Sequence, residues 1–475
     1  MFFLLLCVSA SLFFSLFHVT KRLFLRNTGK NKNTNKQNFG IMDIRRFFIV
    51  AFAVCASAAC SSSNKSVSER NYAGAGRAEI FSEAGKALSD NTKMIKRTLP
   101  LRDFKEIECG YVVTFNYTQS SDYSVTLTTT EQGHDLLEVY VDGGTLYVRG
   151  KAAKGKVERG RNTPEIILDV CSPNPRRIEC TGVVKAKLSD IDTDDFTLAV
   201  EGMSNMNVGR IKGRSVKIDK GGAANLYGST VCSSRELTII CSGMGTLSVG
   251  DISCHSACLD KGGGANLQIG NVKAAADLNM KAGGMGTLSV GDISCHSACL
   301  DKGGGADLQT GAVKASADFS IKAGGTGKAV STNVSCQNMK IDKGGAADVK
   351  VADIVSRGKF DISCSGTSSL SVGDVEALDV RMNIGGAAEV KVGKTRSTTL
   401  NISQSGIGKS VMTFKGRQVD ISSGGARSLT IGVDCDKLHV VHSGMSAMTI
   451  TGTADDVKIE GSGVTSVNCG GLNNY

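Results

Sequence analysis

Tryptophan is absent from this chain of 475 residues, and aromatic residues make up only 5% of it. A large globular core built on aromatic side chains is therefore excluded. Proline is also scarce: the chain has four prolines, and none lies after residue 175. Because proline removes a backbone donor from a β-ladder, this long proline-free stretch favours uninterrupted strand pairing. The prolines are Pro100, Pro164, Pro173 and Pro175.

Glycine, by contrast, is abundant, with 57 residues, and it recurs at a nearly fixed spacing of about twenty residues. A period of this size is typical of a solenoid, in which each repeat buries its apolar face by stacking on its neighbours. The recurring glycines are Gly182, Gly202, Gly222, Gly243, Gly263, Gly284, Gly304, Gly325, Gly345, Gly366, Gly386, Gly406, Gly425, Gly444 and Gly463.

A single repeat shows two strands separated by glycine turns. Between Leu237 and Ile252, apolar and polar residues alternate on both sides of Gly243-Met244-Gly245. Alternation at a period of two predicts β-strands, and the glycines supply the turns. Short strands at this period leave no room for a helix, so the sequence predicts an all-β parallel β-helix with about 20 residues per coil. We expect two inward columns formed by Leu247, Val249, Leu267, Ile269, Leu288, Val290 and Leu308.

A second period of 41 residues lies over the first. Residues 243–265 are identical to residues 284–306, which indicates duplication of a two-coil unit. An Asp-Lys pair recurs at the same spacing, and we interpret it as an exposed or corner charge repeat rather than as a catalytic set. The pairs are Asp219-Lys220, Asp260-Lys261, Asp301-Lys302 and Asp342-Lys343.

The N-terminal region has the pattern of a bacterial lipoprotein leader. A basic segment at 42–46 precedes an apolar segment at 47–54, and Ser57-Ala58-Ala59-Cys60 resembles a lipobox. We therefore predict that Cys60 is lipidated, with ordinary signal-peptide cleavage as the alternative. A lipid on Cys60 would attach the protein to a membrane without a spanning helix.

These patterns predict five regions along the chain. Residues 1–41 are interpreted as a non-native extension, because Met42 already starts a complete signal peptide, although the uncharged stretch 2–19 is long enough to span a membrane. The other regions are the signal peptide at 42–59, the lipidated cysteine and polar tether at 60–96, the opening segment of the β-helix domain at 97–176 and the repeat β-helix array at 177–475.

Charge gives little support for a nucleic-acid partner. The formal net charge of the chain is +10, but the first 59 residues contribute eight basic and one acidic residue, or +7. The processed chain would therefore carry about +3, without the strong basicity of a nucleic-acid-binding protein.

The cysteines favour burial over disulfides or metal. Sixteen occur in the chain; without Cys7, Cys55 and Cys60 the remaining number is odd, which excludes complete pairing within one chain. The segment Cys254 to Cys258 and its copy at 295–299 lie two coils, about 10 Å, apart, too far to share one ion. We expect Cys254, Ser256 and Cys258 on one strand face with His255 on the other, and interpret the recurring cysteines as core residues.

Acidic residues at 190–201 resemble a calcium loop only in part. Asp190, Asp192, Asp194 and Glu201 occupy positions 1, 3, 5 and 12, but Asp195 stands where that loop needs glycine. We therefore interpret these acids as solvated residues of a turn. The sequence predicts no metal site, no cofactor and no catalytic residue.

Three segments carry a family resemblance. Residues 97–110 contain the pattern Phe-x-x-Ile, residues 111–115 contain Val-x-Phe, and residues 136–148 contain Gly-x-Leu before another strand. With the Ser-Gly and Gly-Gly coils that follow, the chain from 97 onward resembles the putative auto-transporter adhesin, head GIN domain family of Bacteroidota-type bacteria. The resemblance implies a right-handed β-helix in secreted or lipid-anchored proteins and implies no catalytic residues.

Together these features predict a non-enzymatic cell-envelope protein, anchored by lipid to the outer membrane on its surface or periplasmic side. We expect an adhesin or binding module that contacts glycan or protein through its repeated strand faces, with no nucleic-acid partner. Two alternatives remain open: a polysaccharide-processing enzyme, which would need clustered acids or a basic residue in a groove on non-repeated positions, and a structural envelope spacer. The sequence does not define an oligomeric state.

The lipobox makes a direct prediction for Cys60. Replacement Cys60→Ala should abolish acylation and release the protein from membranes, because the thiol that would receive the lipid is removed. Metabolic labelling with a fatty acid, followed by membrane fractionation, checks this result. A Cys60→Ala protein that still carries labelled fatty acid would contradict the lipobox interpretation.

Overall fold

The computed structural model describes residues 93–151, 164–445, 447–463 and 466–474. The chain divides into two compact units, Met1–Arg77 and Ala78–Tyr475, and every described residue belongs to the second unit. The predicted extension, signal peptide, lipidation site at Cys60 and nearly all of the tether lie outside the described residues. The proposed domain boundaries therefore stay predictions.

The described part of the chain is a β-solenoid of about 15 stacked turns, which confirms the predicted all-β parallel architecture. It contains one short helix, Glu131–Leu136, and no helix there has the length and apolarity of a membrane span. The strands before the regular array are Ile95–Leu99, Glu106–Cys109, Val113–Gln119, Ser124–Thr129, Leu137–Asp142, Thr145–Gly150 and Ile167–Ser172.

Each regular coil has three sides. Face A is the strand that follows the glycine turn, face B is a short strand after the next corner, and face C is the strand that leads back to the glycine turn. In one coil these are Asn266–Ile269, Val272–Ala274 and Asp277–Ala282. The sequence predicted two strands per coil. The face B strand was missed because three residues are too short for an alternation pattern to be recognised.

The strands of the array follow this order along the chain. Faces B and C merge into one strand in several coils, and in the last coils a single strand runs through all three faces. The strands are Arg177–Cys180, Val184–Leu188, Ile191–Asp192, Asp195–Val200, Asn205–Val208, Ile211–Lys220, Asn225–Gly228, Val231–Cys241, Thr246–Val249, Ile252–Lys261, Asn266–Ile269, Val272–Ala274, Asp277–Ala282, Thr287–Val290, Ile293–Cys295, Ser297–Lys302, Asp307–Thr310, Val313–Ala315, Asp318–Ala323, Lys328–Ser331, Val334–Cys336, Asn338–Lys343, Asp348–Val351, Ile354–Ser356, Lys359–Cys364, Ser369–Val372, Val375–Glu376, Asp379–Ile384, Glu389–Gln404, Ile407–Ser423, Ala426–Gly444, Ala447–Gly463 and Ser466–Asn474.

Parallel pairing places equivalent residues of successive coils directly over one another. Leu247 pairs with Leu267, Leu267 with Leu288 and Leu288 with Leu308, and all four are at most 1% exposed. Val249, Ile269 and Val290 form the second inward column at 3–6% exposure, so the predicted core columns are confirmed. A slip of one residue would turn each column outward, and burial of these side chains therefore fixes the register.

Antiparallel strands extend the solenoid at its N-terminal end. Strand Leu137–Asp142 forms a hairpin with Thr145–Gly150, which pairs in parallel with Glu106–Cys109 and so prolongs face C. Strand Ser124–Thr129 pairs antiparallel with Ile167–Ser172 and prolongs face A. Both pairs of strands therefore continue the sheets of the regular coils toward the N-terminus.

The glycine turns lie along one edge of the solenoid, between face C and face A, which we call the Gly edge. Gly243 has a φ of 73°, in the left-handed region that favours glycine, and a Cβ there would collide with the backbone of Gly222 in the preceding coil. The same conformation and close approach recur at Gly263, where φ is 56°. The twenty-residue glycine period is therefore a requirement of close stacking at this edge.

The lysines of the Asp-Lys repeat lie inside the solenoid, which corrects the prediction of an exposed or corner charge repeat. Lys220, Lys261, Lys302 and Lys343 are 0–1% exposed, whereas the neighbouring aspartates point outward. Each lysine side chain runs beneath the Gly edge and reaches carbonyl groups of the next coil. Strand alternation places this position inside the solenoid. The prediction was wrong because lysine is usually exposed, and the sequence did not show the carbonyl groups that bind the amine.

The buried amines satisfy carbonyl groups that the glycine turns direct inward. The Nζ of Lys261 donates to the carbonyl oxygen of Gly283 at 3.0 Å and to that of Met285. The Nζ of Lys220 donates to Ser242 O at 3.1 Å and to Met244 O, and that of Lys343 donates to Thr367 O at 2.7 Å. Because a buried carbonyl without a donor is costly, each lysine stabilises the turn of the following coil.

The 41-residue period follows from this arrangement. In the column under the Gly edge, Lys220, Lys261 and Lys302 alternate with the small residues Cys241 and Ala282. The small residue leaves room for the lysine of the preceding coil to bend forward, so a lysine fits only in every second coil. Burial lowers the pKa of these three lysines, and it raises the pKa of the Cys241 thiol, which limits ionisation beside them.

Removal of one buried amine should destabilise the solenoid. Replacement Lys261→Met keeps the volume of the side chain but leaves the carbonyl groups of Gly283 and Met285 without their donor. We expect the free energy of unfolding to fall by about 1–3 kcal/mol. Urea unfolding monitored by circular dichroism measures the change. The matched control is Lys281→Met, an exposed lysine in the next coil, which should change the stability by less than about 0.5 kcal/mol; equal effects would contradict the role of the buried amine.

Candidate binding surfaces

Face A presents a flat grid of polar side chains over its central coils, and all but one of them are uncharged. Its outward residues form two parallel columns, in which hydroxyl-bearing residues alternate with amides or, at Asp307, with a carboxylate. Successive members of a column lie about 4.8 Å apart. The columns are Thr246, Asn266, Thr287 and Asp307, and Ser248, Gln268, Ser289 and Gln309.

The first of these columns is held in place by the backbone of its neighbours. The Oδ1 of Asn266 accepts the backbone N–H of Thr287 at 3.0 Å, and the Oδ1 of Asn225 accepts that of Thr246 at 2.9 Å. Asp307 does the same for Lys328 at 2.8 Å. In the second column Gln268 and Gln309 are exposed. Face A therefore combines a fixed row of side chains with a row of amides that are accessible to a ligand.

Face C has a different character, because charge alternates along it. The outward column that ends at the Gly edge contains Asp260, Lys281, Asp301, Lys322 and Asp342 in consecutive coils. Opposite charges at neighbouring positions avoid the repulsion that a column of like charges would create. Exposed ion pairs contribute little stability. The importance of this column is therefore that it gives face C a pattern of alternating charge that a partner could recognise.

An aromatic cluster that sequence reasoning missed lies on the extension of face C. The rings of Tyr140 and Tyr147 stack with centroids 5.2 Å apart, and the guanidinium carbon of Arg149 lies 4.3 Å from the centroid of Tyr147. Arg149 also donates to Glu108 at 2.9 Å. The signal that could have found the cluster is the pair of tyrosines flanking Gly143-Gly144, since a two-residue hairpin places such residues opposite each other.

This cluster meets the criterion for the enzyme alternative only in part. Glu108 and Glu179 are acids on non-repeated positions, and they lie opposite each other on adjacent strands. Each of them forms an ion pair with arginine: Arg149 with Glu108, and Arg177 with Glu179 at 2.5 Å. Carboxylates neutralised in this way on a flat face are suited to hydrogen bonding a ligand rather than to proton transfer.

Two of the acids that resemble a calcium loop, Asp190 and Asp192, contact the next coil, as does the neighbouring Asp195. Asp192 pairs with Lys212 at 2.9 Å, and Asp195 pairs with Arg214 at 2.7 Å. Asp190 accepts the backbone N–H of Arg210 at 2.8 Å. An open depression of about 690 Å³ lies beside them at the corner between faces B and C. These acids are therefore used in stacking contacts between coils, and not only in solvation.

The structure corrects the predicted placement of Cys254, Ser256 and Cys258 on one face. The chain turns the corner at His255 and Ser256, so alternation restarts after it: Cys254 is 8% exposed and points inward, whereas Cys258 is half-buried and points outward. In the copy of this segment, Cys295 is likewise buried and Cys299 half-buried. The core prediction therefore holds for only one cysteine of each pair. Burial raises the pKa of Cys254 and Cys295 to about 11, which keeps these thiols protonated and poor metal ligands.

Comparison with known families supports the predicted resemblance. Residues 103–292 match the model of the family described as putative auto-transporter adhesin, head GIN domain. The match includes the opening segment of the solenoid and its first regular coils. No curated protein matches the chain.

Three of the solved structures to which this chain is similar match it at low identity. A putative adhesin from Bacteroides fragilis is 18% identical, with 46% of this chain and 97% of that chain covered and a TM-score of 0.36. A putative lipid binding protein from Parabacteroides distasonis is 16% identical over 67% and 95%, with a TM-score of 0.21. A putative adhesin from the same species is 14% identical over 80% and 98%, with a TM-score of 0.18. At these scores the likenesses carry no argument about function.

Proposed function

Because residues 103–292 match a family of adhesin head domains, we propose that this protein is a cell-envelope adhesin that binds glycan or protein through face A. The observation that carries the proposal is the flat grid of hydroxyl and amide groups at a constant pitch. Such a surface offers many equivalent weak contacts to an extended ligand, and the sum of these contacts supplies the affinity. Attachment to the outer membrane through lipidated Cys60 belongs to the same proposal.

The chemistry of face A favours an extended, uncharged, hydroxyl-rich ligand or a protein strand. Amide and hydroxyl side chains can both donate and accept hydrogen bonds. A glycan chain laid along the solenoid would therefore meet usable partners in each coil it crosses. The half-buried tyrosines of the N-terminal cluster could add a ring contact at the end of the adjacent face.

Non-enzymatic binding fits these features better than polysaccharide processing. The acids described above are engaged with arginine or lysine, and face A is a plane rather than a cleft that could exclude water. A spacer role would leave the exposed positions of face A unconstrained, and the recurrence of the exposed amides Gln268 and Gln309 there favours binding over that alternative. The adhesin family relationship supports a position at the cell envelope or surface.

The exposed amides of face A provide the first test. A glycan and matrix-protein array, probed with the full chain, identifies a ligand. The double replacement Gln268→Ala and Gln309→Ala should then weaken its binding by roughly thirtyfold, because two hydrogen bonds of about 1 kcal/mol each are lost. The matched control is Lys273→Ala with Lys314→Ala on face B of the same coils, which should bind normally. Unchanged binding by the face A variant would refute this location of the site.

Deletion of one two-coil unit separates distributed binding from a single pocket. Removal of residues 243–283 joins equivalent coils in register, so the protein should still fold, with a solenoid shorter by about 10 Å. We expect the deletion to weaken ligand binding without abolishing it, because the remaining coils keep their contacts. Circular dichroism verifies the fold and titration measures the affinity. Complete loss of binding in a folded deletion variant, or any glycan turnover by the parent chain, would instead favour the enzyme alternative.

A further inference from the structure

The Gly edge carries a column of residues at the tip of each turn, and from Met203 to Met445 their size alternates from coil to coil. In the coil before Met203 the tip is Val183, which is also large and exposed. Each tip N–H donates to the carbonyl of the central glycine of the preceding coil, at 2.8–3.2 Å, so the tips are equivalent positions. Large or branched tips lie in every second coil and Ala or Gly in the others. The column reads Met203, Ala223, Met244, Gly264, Met285, Gly305, Thr326, Ala346, Thr367, Ala387, Ile407, Ala426 and Met445.

Five of the seven large tips are apolar side chains that the fold holds in solvent or partly exposed, and the other two are Thr326 and Thr367. Met285 is 70% exposed, Met203 62%, Ile407 66% and Met445 74%. A line of exposed apolar side chains of this kind marks an interaction surface more often than a chance distribution. Met203, Ile407 and Met445 lie outside the duplicated segments 243–265 and 284–306, so recent duplication does not account for the alternation.

The buried cations fix the backbone of the large tips. The carbonyl groups of Met244, Met285 and Thr367 accept from Lys220, Lys261 and Lys343. The carbonyl of Ile407 accepts from the guanidinium of fully buried Arg427 at 3.1 Å, although Arg427 belongs to another repeat sequence. The large tips are thus rigid knobs about 10 Å apart, and each small tip leaves a hole between two of them.

Charge on the flanks of the edge follows the same alternation in part of the column. Five of the six coils with small tips carry an acid next to the edge, and the coils of Met285, Thr326 and Ile407 carry lysine. The acids are Asp219, Asp260, Asp301 and Asp342 on face C and Asp307, Asp348 and Glu389 on face A, and the lysines are Lys281 and Lys322 on face C and Lys328 and Lys409 on face A. Alternation of charge is useful within one chain, because it separates like charges. Alternation of tip size does not serve this purpose, so we look for its explanation in a contact with a partner.

We propose that the Gly edge binds the Gly edge of a second copy of this chain, with the two solenoids antiparallel. A partner must offer holes that receive the knobs at a spacing of two coils, over many coils. A second copy of this chain has such holes, because its small tips recur at the same spacing. A two-fold axis between adjacent coils places each knob opposite a hole along the whole contact. It also keeps face C beside face C and face A beside face A, so the lysines of one copy oppose acids of the other.

The size of the contact predicts a weak, reversible dimer. A single ridge packed along twelve coils would bury on the order of 1,000 Å² in total, near the lower limit for a specific interface. Methionine suits such a contact because its flexible thioether adapts to a shallow hole. Self-association uses the Gly edge and leaves the amide columns of face A open, so it is independent of the proposed ligand site.

Sedimentation equilibrium tests the proposal with the full chain carrying Cys60→Ala, so that no acyl chain contributes to association. We expect a monomer–dimer equilibrium in the micromolar range. Met285→Lys removes a knob, and Gly305→Leu fills a hole where an added Cβ meets only ordinary contacts. Each should weaken the dimer by about tenfold or more. The control Val355→Lys adds the same charge to an exposed residue of face B and should leave association unchanged.

Charge reversal then locates the two-fold axis. Lys281→Asp should weaken the dimer, and one of the second replacements Asp219→Lys, Asp260→Lys, Asp301→Lys or Asp342→Lys should restore it, depending on which coil Lys281 faces. Rescue by none of the four would overturn the antiparallel arrangement. A chain that stays monomeric at all concentrations, that binds neutral lipid vesicles through this edge as a monomer, or whose dimer resists both Met285→Lys and Gly305→Leu would overturn the proposal.

Discussion

The parallel ladder between coils is the constraint on which the rest of this structure depends. Each strand satisfies its backbone groups on the coil before and the coil after, so every coil must repeat the same path at a pitch of about 4.8 Å. Equivalent positions therefore become columns. Each residue of a column must pack against the equivalent residues of the preceding and following coils. For this reason leucines stack in the core, and glycines in the left-handed conformation stack at the Gly edge.

The buried lysines show how a polar requirement sets the size of the repeating unit. The Gly-x-Gly turn directs carbonyl groups into the solenoid, where an amine from the preceding coil meets them in the coils of Met244, Met285 and Thr367. The amine has a small residue above it, such as Ala282, so lysine recurs in every second coil. Two coils are thus the unit of this arrangement, and the duplicated segments of the chain are spaced by two coils rather than by one.

Separate columns give the molecule separate surfaces. The amides of face A, the alternating charges of face C and the knobs of the Gly edge all use the same ladder, but they point in different directions. Ligand binding on face A and association through the Gly edge are therefore geometrically compatible, and a dimer would present two ligand faces. Joined binding faces raise the apparent affinity for an extended ligand without any new contact to it.

The sequence alone determined the parallel solenoid, its period and the inward columns, because glycine spacing and two-residue alternation are local properties that act in every coil. It also determined the family resemblance, from the segments around Phe104 and Leu146. It did not determine the three-sided coil, since the strand Val272–Ala274 is too short to show alternation. Only the tertiary structure placed Lys261 under the next turn, brought Tyr140 and Tyr147 into a stack beside Glu108, and aligned Met203 through Met445 on one edge. Tyr140 and Tyr147 meet within one hairpin. The other placements depend on contacts between residues about twenty or more positions apart, and those contacts exist only after the coils have stacked.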